Sequence, residues 1–192
     1  VTHRLNLFDT PESLATTASS FFNEGYAAGG NLLVVAKPAN RAGILGALQR
    51  AGCFPEGGNG HQRLVALDAR EILERITRDG AIDARLFETA VVPVVERLAA
   101  TGPLSIYGEI VELLAEQGDF SGAIRLEQLW NTLAEKHPFT LLCGYSSAHF
   151  TASESMSALR DLCGAHTHST ATTDDTLGRW LLATAEISPS AA

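Results

Sequence analysis

The stretch NLLVVAKPANRAGILGALQRAG, residues 31–52, decides the fold. It opens with a short apolar, β-branched run bounded by turn residues, the pattern of a strand buried on both faces. RAGILGALQRAG then reads as a helix with a glycine stop. In phosphate-binding α/β folds a glycine-rich loop and a lysine follow such a strand and cradle the nucleotide. Here Lys37 stands directly beside the strand end, and no GxxxxGK[ST] pattern occurs anywhere in the chain. ATP binding through a phosphate loop is therefore not expected, and the GYAAGG cluster before the strand serves as a helix stop.

The strand and helix alternation continues outward. HRLNLF alternates polar and apolar residues, and DTPES offers a helix start with Asp9 or Thr10 as cap and Pro11 in the first turn, for a helix reaching about Ala28. RLVALDA reads as a second buried strand, and DAREILERITRDG as a helix capped by Asp68. DARLFETAVVPVVERLAATG reads as a longer helix that Pro93 either kinks or splits. PLSIYGEIVELLAEQGD begins as a strand and becomes helical. SGAIRLEQLWNTLAEKHP is an amphipathic helix, with Ile124, Leu126, Leu129, Trp130 and Leu133 on one side and Pro138 ending it. FTLLCGY is the next strand, and SESMSALRDLCGAH a helix with Met156, Leu159, Leu162 and Cys163 at helical spacing. Helices separating short hydrophobic strands imply a three-layer α/β fold, a mainly parallel sheet with helices on both faces. Residues 1–182 read as one domain and residues 183–192, rich in Ala, Ser and Pro, as a flexible tail that frays after Trp180.

Composition narrows the function. The 192 residues are 45% hydrophobic and 19% charged, enough for one well-filled core. A formal net charge of -8, with only 14 scattered Lys and Arg, argues against direct nucleic-acid binding, which needs clustered basic residues. No apolar run approaches the roughly 18 residues of a membrane span, and residues 1–12 lack the features of a signal peptide. A cytoplasmic protein is expected. Three cysteines, Cys53, Cys143 and Cys163, are too few and too dispersed for a disulfide framework.

In open α/β sheets ligands sit outside the carboxyl ends of the strands, which nominates Lys37, Asp68, Glu109 and Tyr145. Glu109 could hold a metal, accept a hydrogen bond from a ligand or act as a base, or simply cap the turn; Gly108 before it signals a close approach of another group. DLCGAHTHS, residues 161–169, places Cys163 and His166 three apart, on one face if the helix continues, with His168 able to fold back. Three readings compete. Tetrahedral zinc would use Cys163, His166 and His168 with a fourth ligand such as Cys143, His3, His149 or Glu109. A Cys–His nucleophile would need an oxyanion hole the spacing does not supply. A plain helix end would bury the thiol and set His166 against the terminal carbonyls. His61 reads as solvated, His137 as a helix-end residue, and Trp130, Phe87 and Phe139 as core.

Several segments in order resemble one known family: HRLNLFDTPESL, LLVVAKPANRAGI, RLVALDAREIL, RLFETAVVPVV, the long block IYGEIVELLAEQGDFSGAIRLEQLWNTLAEKHPFTLLCGY, and LCGAHTHS. Together they look like the MEDS domain, a sensory domain of methanogens and methylotrophs first associated with a dichloromethane-responsive regulator. The likeness spans roughly residues 3–170 and is most specific at Gly108, Glu109, Leu126, Glu127, Trp130, Asn131, His137, Phe139, Cys143 and Tyr145. It implies a RecA- or KaiC-like core without the phosphate loop, acting as a ligand-sensing module for small hydrocarbon derivatives. It also implies an output partner: a histidine kinase, an anti-sigma component or a DNA-binding component. His3 matches the family's N-terminal histidine, and Cys163, His166 and His168 its terminal cysteine and histidine motif. Asn6, Leu7 and Phe8 depart from it, standing where a glutamine and two aromatics are common.

The leading expectation is thus a sensory domain that binds a small, mostly apolar organic molecule at the carboxyl end of the sheet, with His3, Glu109, Cys143, Tyr145, Cys163 and His166 around the ligand. The alternatives are a Cys/His-dependent or metal-dependent enzyme, and a docking or homo-oligomerisation module.

Overall fold

The computed structural model describes residues 2–53 and 63–187. In chain order the elements are β1 (Thr2–Phe8), α1 (Pro11–Ala27), β2 (Asn31–Ala36), α2 (Pro38–Arg50), β3 (Leu64–Asp68), α3 (Ala69–Ile76), β4 (Thr77–Arg78), β5 (Ala81–Ile82), α4 (Ala84–Ala90), α5 (Val92–Ala99), β6 (Leu104–Gly108), α6 (Ile110–Glu116), α7 (Phe120–Lys136), β7 (Thr140–Ser146), α8 (Ser153–Ala165), β8 (His168–Ala171) and α9 (Thr176–Ile187). A 3-10 turn, Ser147–Phe150, joins β7 to α8. Six strands form one sheet in the order β3-β2-β6-β7-β1-β8, and each pairing is parallel.

Strand side chains alternate between faces, so each buried strand feeds two cores. Leu32 and Val34 of β2, Tyr107 of β6 and Leu142 of β7 pack beneath α1 and α2 with Phe22 and Ile44. Leu33, Ile106, Leu141, Cys143, Tyr145, Leu5 and Leu7 point the other way, under the helices that follow β3. His3 shares the parity of Leu5 and Leu7 and therefore lies on that second face. Trp130 of α7 anchors this side, edge-on to Phe87 at 5.2 Å and to Phe139 at 6.1 Å between ring centroids.

Local chemistry sets the boundaries. Thr10 and Ser13 form a reciprocal capping box at α1, and Asp68 and Asp119 cap α3 and α7 through the N–H groups of Arg70 and Gly122. Four expectations are corrected. The helix from Asp68 stops at Ile76, because Asp79 and Gly80 adopt φ of 51° and 78° and close the small β4-β5 hairpin. The strand RLVALDA is the sheet's edge and only half-buried. HTHS does not merely end a helix: His168–Ala171 adds β8 beside β1. Finally, α9 runs past Trp180 and buries Leu181, Leu182 and Ala185 in the larger core, so the chain is helical and packed there rather than frayed directly after Trp180. Pro93 splits its helix, since its ring obstructs the preceding turn and it brings no N–H. The GGNGHQ loop with His61, and residues 188–192, lie outside the described residues. No helix among the described residues is long and apolar enough to cross a membrane.

Candidate functional site

Two buried polar groups stand out. The first lies on the second face of the sheet, where β1 and β7 run side by side beneath α7. Register places His3 opposite Leu141, two residues from Cys143 along β7, and α7 lowers Glu127 onto the pair. Glu127 is fully buried. Its Oε2 sits 3.1 Å from Nε2 of His3 and accepts a 3.4 Å hydrogen bond from the Cys143 thiol. Its Oε1 accepts a 2.7 Å hydrogen bond from the Tyr145 hydroxyl and faces Nε2 of His166 at 3.2 Å. The rings of His3 and His166 lie 4.0 Å apart between centroids, and Nε2 of His3 is 3.3 Å from the Cys143 sulfur.

The far nitrogens of both imidazoles are fixed. Nδ1 of His166 is 2.6 Å from the carbonyl of Leu162, so it carries a proton and donates it. Nδ1 of His3 is 2.8 Å from Oδ1 of Asn131, whose Nδ2 donates in turn to the carbonyl of Ala165 at 2.9 Å. This sets the Asn131 amide orientation and makes Nδ1 of His3 the donor. Both Nε2 atoms are therefore aimed at Glu127. That of His166 is buried and makes no hydrogen bond among the described residues, meeting Oε1 only as an ion-pair contact.

Electrostatics follow from enclosure. Burial alone would push the Glu127 carboxyl up, but His166 and His3 beside it hold it well below the usual carboxylate range. Burial pulls the His166 imidazole down, and the Glu127 carboxylate outweighs this and raises it above its ordinary value. The Cys143 thiol is pushed well up by burial and by the neighbouring negative charge, as is the Tyr145 hydroxyl. An activated nucleophilic cysteine has the opposite character, a thiolate favoured by positive surroundings.

The second group is at the carboxyl ends of β2 and β6. Glu109, fully buried, accepts the backbone N–H of Lys37 at 2.6 Å and the side-chain amide of Asn40. Burial pushes its carboxyl up to about 7 against the opposing pull of those donors and of the Lys37 charge. Glu112 accepts the N–H of Ser146 at 2.8 Å and lies 3.0 Å from Nε2 of His149 and 3.4 Å from the Lys37 ammonium. Asp68 ends β3 and meets Arg41 at 3.7 Å.

The expected site residues thus divide. His3, Cys143, Tyr145 and His166 converge, although Tyr145 lies within β7 rather than after it. Glu109 belongs to the other group. Cys163, half-buried, packs against the larger core, and His168 is exposed on β8 opposite Arg4. Cys163 and His166 do not share a helical face, because α8 ends at Ala165 and His166 is extended, with φ -112° and ψ 153°. Residue-by-residue reading missed Glu127 as a site residue. The signal was present: Ala123, Glu127, Trp130 and Ala134 form the buried stripe of α7, and a carboxylate on such a stripe needs a partner.

A groove of about 230 Å³ opens on the opposite side of α7, between it and α4 and α5, lined by Phe87, Val92, Leu129 and Leu133 together with the polar Glu88, Glu96, Thr132, Lys136 and His137. The family model described as "MEDS: MEthanogen/methylotroph, DcmR Sensory domain" matches residues 2–167, a span that contains the whole His3–Glu127–Cys143–His166 cluster. No curated protein matches the chain.

Proposed function

The chain belongs to the MEDS family of sensory domains, and from that premise we propose that it binds a small, mostly apolar organic molecule and relays the event to a regulatory output component. A histidine kinase, an anti-sigma component or a DNA-binding component fits that role, and the core is read as RecA- or KaiC-like without nucleotide chemistry. The observation that carries the reading is the double duty of α7. At 100° per residue, Leu129, Thr132 and Leu133 face nearly opposite to Glu127 and Asn131. One side of the helix lines the apolar groove and the other holds the buried polar cluster.

The groove suits a compact guest, being smaller than the pockets of about 300–1,000 Å³ that hold drug-sized ligands. A guest there presses on α7. Any displacement of the helix changes how Glu127 and Asn131 meet His3 on β1 and His166 after α8. A signal requires that the guest favour one arrangement over another, since equal affinity for both shifts nothing. The buried ion pairs supply two discrete alternatives, made or broken, and little between them.

Methyl NMR of the intact protein tests this with short-chain alcohols, ketones and haloalkanes. Saturable shifts at Leu129 and Leu133 that vanish in Thr132→Trp, which plugs the groove from its exposed rim, support the reading. No shift, or the same shift in the plugged variant, contradicts it.

A further inference from the structure

We propose that His3, Glu127, Cys143 and His166 form a binding site for a single divalent transition-metal ion, zinc first among them. One side-chain atom of each, Nε2, a carboxylate oxygen, Sγ and Nε2, all lie within 4.8 Å of one another. A tetrahedral ion with bonds of about 2.0–2.3 Å sets its ligands roughly 3.3–3.8 Å apart. The neighbouring distances of 3.1 Å from His3 to Glu127, 3.3 Å from His3 to Cys143 and 3.4 Å from Cys143 to Glu127 are already near that spacing.

The surroundings are those a metal site requires. A ligating histidine donates its other N–H to a carbonyl or a side-chain oxygen, which fixes its tautomer and aims the lone pair. His166 does so to Leu162, and His3 to Asn131, which is itself anchored on Ala165. The Tyr145 hydroxyl holds Oε1 of Glu127, leaving Oε2 turned toward His3 and Cys143. The Nε2 atom of His166 is buried and makes no hydrogen bond among the described residues, so only its ion-pair contact with Glu127 holds it in the metal-free protein, and it is free to turn to a cation. Charge closes as well: a carboxylate, a thiolate and two neutral imidazoles balance a divalent ion, so the buried centre is neutral. Binding releases the thiol proton of Cys143, which no longer needs Glu127 as acceptor, together with the Nε2 proton of any imidazole that is charged opposite Glu127 in the metal-free protein.

The mixed nitrogen, sulfur and oxygen set favours zinc, with cobalt as a spectroscopic substitute, over calcium or magnesium, which take oxygen ligands. The four ligands come from β1, α7, β7 and the residue after α8, so the ion would staple the two ends of the matched span across the sheet. This differs from a local Cys163–His166–His168 site, and it does not depend on what fills the groove.

The test compares native with denatured mass of protein purified without chelator, then titrates chelator-stripped protein with cobalt. One zinc per chain and a thiolate-to-cobalt charge-transfer band with tetrahedral visible bands are expected. Cys143→Ser should abolish the charge-transfer band, and Cys163→Ser and His168→Ala should keep it. Asn131→Ala, which only orients His3, should weaken zinc about 10–100-fold. Far-UV circular dichroism confirms that each variant is folded. Folded wild-type protein that neither carries zinc nor gives the cobalt bands overturns the site, as does a band that survives Cys143→Ser but is lost in Cys163→Ser.

Discussion

His3 and His166, from opposite ends of the chain, stack 4.0 Å apart between ring centroids and present their Nε2 atoms to the two oxygens of one buried carboxylate, Glu127. The N-terminal strand and the segment after α8 are thereby tied through a residue of α7. The tie costs desolvation and is worth keeping only while its partners are all present.

In metal-free protein, Glu127→Gln leaves the buried His166 imidazole without its counter-charge, and a loss of about 3–5 kcal/mol in unfolding free energy is expected. Tyr145→Phe removes one hydrogen bond to the charge and should cost about 1.5–3 kcal/mol. Urea unfolding measures both. A Glu127→Gln cost smaller than that of Tyr145→Phe would contradict the arrangement.

Glu109 gives the protein a pH dependence of known sign. Its carboxyl is raised by burial from 4.5 to about 7, so the folded state holds a proton the unfolded state has lost. Stability is full below 4.5 and falls as pH rises through the folded value, by on the order of 3 kcal/mol in all. His149, raised above 6.5 by its hydrogen bond to Glu112, adds a loss of the same sign at higher pH. Glu109→Gln should therefore flatten unfolding free energy between pH 4.5 and 6.5. An unchanged slope in that variant would mean that Glu109 is ionised throughout.

Gly144 is where β7 passes the Tyr107 ring. A Cβ there would collide with the Tyr107 hydroxyl and meet two ring carbons at 3.1 Å. Gly144→Ala should cost about 1–3 kcal/mol. The Tyr107 hydroxyl is buried without a hydrogen-bond partner among the described residues, so Tyr107→Phe alone should cost little and should recover part of the Gly144→Ala loss. Strict additivity in the double-mutant cycle would contradict the contact.

Thiol reactivity should follow burial. Cys143 and Cys53 are buried, with thiols pushed up by that burial, whereas Cys163 is half-exposed. Alkylation of the native protein, read by peptide mass spectrometry, should label Cys163 first and leave Cys143 protected until unfolding. Early labelling of Cys143 would place it in an open site.

Much of the fold was legible because buried parallel strands are short apolar runs and helices announce their caps. NLLVVA, SIYG and FTLLCGY gave themselves away, as did Thr10, Asp68 and Pro138. β8 was not, because HSTA is a polar edge strand whose only support is pairing with β1. The site was half legible. His3, Cys143, Tyr145 and His166 could be singled out, but their meeting point depends on sheet register and on the end of α8. Glu127 hid inside an amphipathic helix, where a carboxylate among charged neighbours looks solvated until the buried stripe is traced. Glu109 was recognisable behind Gly108, yet its place at the strand ends, apart from the histidines, follows only from the strand order.

The sensing claim turns on the groove beside α7, and Trp130 reports on it directly through its contact with Phe87. The chain has two tryptophans, and the other, Trp180, is 60% exposed on α9. Trp180→Phe leaves Trp130 as the only indole emitter. Titrating that variant with short-chain alcohols, ketones and haloalkanes should produce a saturable change in Trp130 emission with at least one compound class, and adding Val92→Phe, which plugs the groove, should abolish the change. Emission that never changes, or that changes equally when the groove is plugged, would contradict a ligand-sensing role for this site.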